Sequence, residues 1–91
     1  MTEKELLDQN FDYIVDVRTP LEYKLGHIKH AILFPLNKIH DLNLDKNAHI
    51  ALYCRSGARS QDALQILKQK GYTHVENIGG IIDLKIPLVK D

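Results

Sequence analysis

The segment Cys54-Arg55-Ser56-Gly57-Ala58-Arg59-Ser60 places a thiol, guanidinium groups, hydroxyls and a glycine within seven consecutive residues. Cysteine reacts as the thiolate, so the first question is what would hold a proton off Cys54. It follows the apolar run Ile50-Ala51-Leu52-Tyr53 and precedes a stretch with helical periodicity that begins at Ala58. That order predicts a strand-to-helix turn with Cys54 in it. Backbone N–H groups at such a turn, together with the positive end of the helix, favour S⁻ over SH. Arg55 and Arg59 add positive charge if they face the same pocket, and Gly57 allows a turn without a Cβ clash. Ser60 falls in the first helical turn, where short polar side chains are favoured. Cys54 is therefore the candidate nucleophile, and Arg55, Ser56, Gly57, Ala58, Arg59 and Ser60 are its candidate anion cradle. A persulfide on Cys54 would be an anion needing the same cradle. A lone cysteine is ordinarily a small buried hydrophobe, but that role needs neither Gly57 nor flanking arginines.

Spacing separates the chemistries such a loop could serve. Tyrosine-phosphatase-like sites resemble Cys-x5-Arg-Ser/Thr, whereas here four residues lie between Cys54 and Arg59. The shorter loop encloses less volume and suits a single sulfur better than a tetrahedral phosphate. A thioredoxin-type redox role needs a second cysteine in Cys-x-x-Cys, and this chain has only one. Two alternatives stay open: a small phosphatase or arsenate reductase using a Cys–Arg loop, and a non-catalytic sulfur-carrier or redox-sensing module.

Asp16 and Arg18 flank Val17 at a strand end and point to one side of an extended chain. They read as an ion pair or hydrogen-bond anchor beneath the loop rather than as an acid–base pair. Glu22 reads as a charge in the first turn of a helix. His27 and His30 are three residues apart, but zinc generally takes three or four protein ligands. With Cys54 as their only possible sulfur partner and no adjoining acidic cluster, no metal site is expected.

The elements that must position these groups are short. Thr2 and Glu5 form a capping-box pattern for a first helix ending near Gln9-Asn10. The β-branched run 13–17 predicts a buried strand. Thr19 caps a second helix with Pro20 at its first position, and Gly26 stops it. Residues 31–34 predict a second short buried strand closed by Pro35, and 37–42 a helical turn. The apolar run 50–53 is the next strand, and 58–70 the longest helix, with Gly71 beyond its end. Residues 74–78 are the last strand, before Gly79-Gly80. Strands alternating with helices predict an α/β domain with a mostly parallel central sheet flanked by helices. Sites on such sheets gather beyond the C-terminal strand ends, where Cys54 lies.

The 91 residues are enough for one domain, 1–91, with a modest core. Twelve basic and twelve acidic residues give zero net charge, which argues against non-specific nucleic-acid binding. No apolar run approaches a membrane span, and the polar start 1–7 does not read as a signal peptide. The cytoplasm is the plain expectation, with the periplasm open to a chain trimmed of its leader, and monomer is the default state.

Tyr53-Cys54-Arg55-Ser56-Gly57-Ala58-Arg59-Ser60 closely resembles the active-site loop of single-domain rhodanese-type sulfurtransferases. Asp16-Val17-Arg18-Thr19-Pro20-Leu21-Glu22-Tyr23, Gly26-His27-Ile28-Lys29-His30-Ala31 and the segment 71–80 resemble further signatures of that family in the same order. The ending 83–89 is most similar to the small phage-shock-protein-E type, whose members are exported to the periplasm. Departures are His30 where the family usually has Gly, Leu33 where Asn is common, and Asp83-Leu84 in place of an Ala-Trp ending. The resemblance implies a rhodanese-like three-layer domain. It also implies ping-pong sulfur transfer through a Cys54 persulfide, from thiosulfate to cyanide or a thiol, including a thiol protein. It implies no metal or organic cofactor. Arg55 and Arg59 would attract the donor, and His27 would fix a turn through hydrogen bonds.

Overall fold

The computed structural model describes residues 1–90. Helix α1 (Glu3–Asp8) starts where Thr2 Oγ1 accepts the Glu5 N–H (3.2 Å) and Glu5 Oε1 accepts the Thr2 N–H (3.0 Å). These bonds satisfy donors that a helix start leaves open. Strand β1 (Tyr13–Asp16) follows. Helix α2 (Pro20–Leu25) repeats the reciprocal cap with Thr19 and Glu22 and has Pro20 in its first turn. Strands β2 (His27–Ile28) and β3 (Ile32–Leu33), a 3-10 helix (Leu36–Asp41), β4 (Ile50–Cys54), α3 (Ala58–Gln69), β5 (Val75–Gly80) and β6 (Leu88–Val89) complete the chain.

The central sheet has the order β3-β1-β4-β5, and every pairing in it is parallel. The order reverses at β1, which has β3 on one side and β4 on the other. The C-terminal ends of β1 and β4 therefore flank the switch point where sheets of this class leave a crevice. β4 sits between two neighbours and is buried at every position, which accounts for its continuous apolar sequence. Its side chains alternate between the two faces. Ile50, Leu52 and Cys54 join one core cluster with Val15, Ala63, Leu64 and Leu67, while Tyr53 joins the other with Leu6, Ile28, Ala31 and Ile86. Helices thus cover both faces.

The structure differs from the sequence expectation in the extent of two strands and by one added ribbon. β3 covers only Ile32–Leu33 and is not buried as expected, since it is an edge strand with Ile32 exposed, and β5 runs on through both glycines to Gly80. β2 and β6 form a separate antiparallel ribbon of two residues per strand, too short for any periodicity to register. His30 has φ 70°. That backbone is left-handed, where a side chain costs about 1–2 kcal/mol, and it accounts for the glycine usual at this position in the family that the sequence resembles.

Candidate active site

Cys54 ends β4 and is 1% exposed. The chain then turns through Arg55-Ser56 into Gly57, whose φ of 96° makes it the left-handed cap of α3. That conformation suits glycine, and it swings the start of the helix back over the sulfur. Cys54 Sγ accepts hydrogen bonds from the Gly57 N–H (3.0 Å) and the Ser60 N–H (3.4 Å), with Ser60 Oγ also at 3.4 Å. Burial pushes the Cys54 thiol up. Hydrogen bonds from the Ser60 hydroxyl and from the N–H groups of Ser60, Gly57 and Ser56 outweigh it, leaving the thiol below its ordinary value.

The direction of that shift has a measurable consequence. Alkylation by iodoacetamide should rise with pH at a lower midpoint in the folded protein than in an unstructured peptide carrying 50–60, because only the thiolate reacts. The linked stability is fully present above the unfolded thiol's pKa, about 8.5, and is lost as pH falls through the lower folded value. Coincident midpoints would remove the case for an activated thiolate.

Ser60 is itself held from outside the loop. Its Oγ lies 2.7 Å from Asn77 Oδ1 and 3.1 Å from the Gly57 carbonyl oxygen. Asn77 also donates to that carbonyl from Nδ2 (3.1 Å) and accepts the Gly79 N–H (2.9 Å), so β5 clamps both the turn and the hydroxyl. β5 also approaches the loop backbone. The Ile81 N–H donates to the Cys54 carbonyl (3.0 Å) and the Ile82 N–H to the Arg55 carbonyl (3.2 Å). Asn77 and Gly80 are site residues that the Cys54 loop motif alone did not single out, and their signal is the Gly79-Gly80 pair that ends β5.

The arginines of the loop differ from each other. Arg55 is exposed. Arg59 Nη1 and Nη2 donate to Glu22 Oε1 (2.7 Å) and Oε2 (2.9 Å). Glu22 is thus more than a helix-start charge: Arg59's hydrogen bonds hold its carboxyl at about 2, against the opposing effect of burial.

Asp16 and Arg18 lie at the end of β1, beside the loop, as a buried pair. Arg18 Nη2 donates to Asp16 Oδ2 (2.7 Å) and to the Gly26 carbonyl (2.7 Å), and Nε donates to both Asp16 oxygens (3.0 Å each). Tyr53 O–H donates to Asp16 Oδ2 (2.8 Å) and accepts the Ile28 N–H (3.1 Å). These bonds tie β1, β2 and β4 together. His27 sits apart in β2, stacked on Tyr23 at 3.7 Å with Nδ1 at 2.9 Å from the Tyr23 carbonyl oxygen. A carbonyl only accepts, so Nδ1 carries the proton in that bond.

The geometry describes a buried thiol, ringed by donors at a helix start, on the crevice side of a parallel sheet. Comparison with known proteins agrees with it. A model of the Rhodanese-like domain matches residues 2–83. The thiosulfate sulfurtransferase PspE of Escherichia coli (strain K12) is 40% identical over 83 residues, which is 87% of this chain and 80% of that protein. A sulfurtransferase of Allochromatium vinosum is 40% identical over 82 residues, covering 87% and 77% respectively. A solved structure of a rhodanese with anions from E. coli aligns at a TM-score of 0.79 and 40% identity, covering 87% of this chain and 98% of that one.

Proposed function

Because this chain belongs to the Rhodanese-like domain family, we propose that Cys54 carries sulfane sulfur, as a persulfide, from thiosulfate to a thiol or to cyanide. Named sulfurtransferases similar over most of its length make it a sulfurtransferase; the donor, the acceptor and the residue roles are our reading. The observation that carries the reading is the set of N–H donors from Gly57 and Ser60 already on Cys54 Sγ.

In the first half-reaction the Cys54 thiolate attacks the outer sulfur of thiosulfate. The new Cys54 S–S bond forms as the S–SO₃ bond breaks, and sulfite leaves with the bonding pair. The negative charge passes from Sγ to the terminal sulfur of the persulfide, inside the ring of loop amides. Donors fixed in advance at a site of developing charge are each worth about 10²- to 10³-fold in rate. In the second half-reaction cyanide or a thiolate attacks that terminal sulfur. Thiocyanate or a new persulfide departs, and Cys54 S⁻ is restored. An apolar cleft of about 300 Å³ adjoins Arg59, lined in part by Val17, Pro35 and Leu36. We read 1–91 as a single rhodanese domain acting as a monomer; the family match over residues 2–83 supports one domain.

Intact-mass measurement after incubation with thiosulfate tests this. A gain of about 32 Da, lost on adding cyanide with release of thiocyanate, is the expected signature of a covalent sulfur intermediate. Loading without turnover would leave a carrier. No loading, with hydrolysis of an aryl phosphate instead, would replace sulfur transfer by phosphatase chemistry.

A further inference from the structure

We infer that Glu22 sets how strongly the Cys54 site selects for anions, by matching the charge of Arg59. The pair is fork to fork, with both carboxylate oxygens taken by separate guanidinium nitrogens at 2.7 and 2.9 Å. Glu22 is fixed independently at its own end, since Oε1 also receives the Thr19 N–H and the Thr19 hydroxyl at 3.1 Å each. The carboxylate is thus held in place before Arg59 meets it. The side chains are 35% and 27% exposed, so water screens the pair only in part. Arg18 is matched in the same way by Asp16. Arg55 is the exposed cation of the loop and has no side-chain partner among the described residues.

The consequence is a sulfur site with less positive potential than its sequence advertises. A loop bearing unmatched charge on both Arg55 and Arg59 would hold a dianion strongly and disfavour acceptors of lower charge. With Glu22 on Arg59, neutral or singly charged thiols compete for the loop on closer terms. Glu22 acts through Arg59 and touches no substrate; it is a positioning residue. The inference rests on Cys54 being the reactive group, and it is independent of which sulfur donor the protein uses.

The test compares alkylation of Cys54 by iodoacetate, an anion, and by iodoacetamide, which is neutral. Both consume the same thiolate, so the ratio of their rate constants cancels its population and reports local potential. Glu22→Gln removes the charge but keeps the capping pattern, which accepts Gln as readily as Glu. The iodoacetate-to-iodoacetamide ratio should rise about 3- to 10-fold at low salt, the size expected when the Arg59 charge, which the thiolate feels, is left unmatched. It should fall back toward the wild-type ratio in high salt. Adding Arg59→Ala to Glu22→Gln should also return it to within about 2-fold of wild type. An unchanged ratio in Glu22→Gln, even with both rates lowered together, would make Glu22 merely structural and overturn the inference. A ratio that stays high without Arg59 would overturn it too.

Discussion

Cys54→Ser should take up no sulfur from thiosulfate and should lose turnover by more than about 10³-fold, because the covalent route disappears with the thiolate. The substitution is a clean one on structural grounds. Sγ is an acceptor for the Gly57 and Ser60 N–H groups, and a serine oxygen can accept the same bonds. The donors at the helix start are left satisfied, and the urea midpoint should stay near that of wild type. A hydroxyl at neutral pH has almost no anionic form, however well its surroundings would hold one. Intact mass and thiocyanate release read the result directly. Turnover surviving in the serine variant, with the fold intact, would remove Cys54 from the reaction.

Gly80→Ala should damage both the fold and the site while leaving every residue of the Cys54–Ser60 loop in place. A Cβ at Gly80 would lie 2.2 Å from the Arg55 carbonyl oxygen and 2.4 Å from Ser56 Cα. Both are backbone atoms, so no side chain can swing aside to make room. Either β5 withdraws from β4 or the loop moves off the sulfur. Overpacking of this kind costs about 1–3 kcal/mol and occasionally more. A displacement of about 1 Å at a reacting centre is enough for a 10²-fold loss of rate. The variant should therefore show a lower urea midpoint and, in its folded fraction, strongly reduced sulfur loading. Wild-type stability and loading together would mean that the contact between β5 and the loop is unimportant.

What could be read from the chain was local. The position of Cys54 between an apolar strand and a helical period, the caps at Thr2 and Thr19, and the shared side of Asp16 and Arg18 all follow from neighbours within a few residues. What could not be read was distant. Glu22 meets Arg59 across 37 residues and Asn77 meets Ser60 across 17. Nothing in the segment around either partner specifies such a meeting, because it depends on which strands lie side by side. The same reason hides the β2–β6 ribbon, where His27 faces Val89 and Ile28 faces Leu88. Two residues per strand carry no period, so only their tertiary partners make them strands. Glu22 was visible as a helix-start charge, which concealed its meeting with Arg59.

The all-parallel sheet also dates the chemistry within the life of the chain. The turn that surrounds Sγ is contributed by adjacent residues, but Asn77 and Gly80, which hold that turn shut, arrive on a strand that pairs only after a whole crossover has been laid down. Glu22 reaches Arg59 across a comparable stretch of chain. Pairings of this kind close long loops and form late in folding. An unfinished or unfolded chain therefore carries an ordinary thiol, and the acidic one comes into being once β5 has paired with β4. Reactivity is acquired at maturity, so the chain does not expose an activated sulfur while it is still seeking its fold.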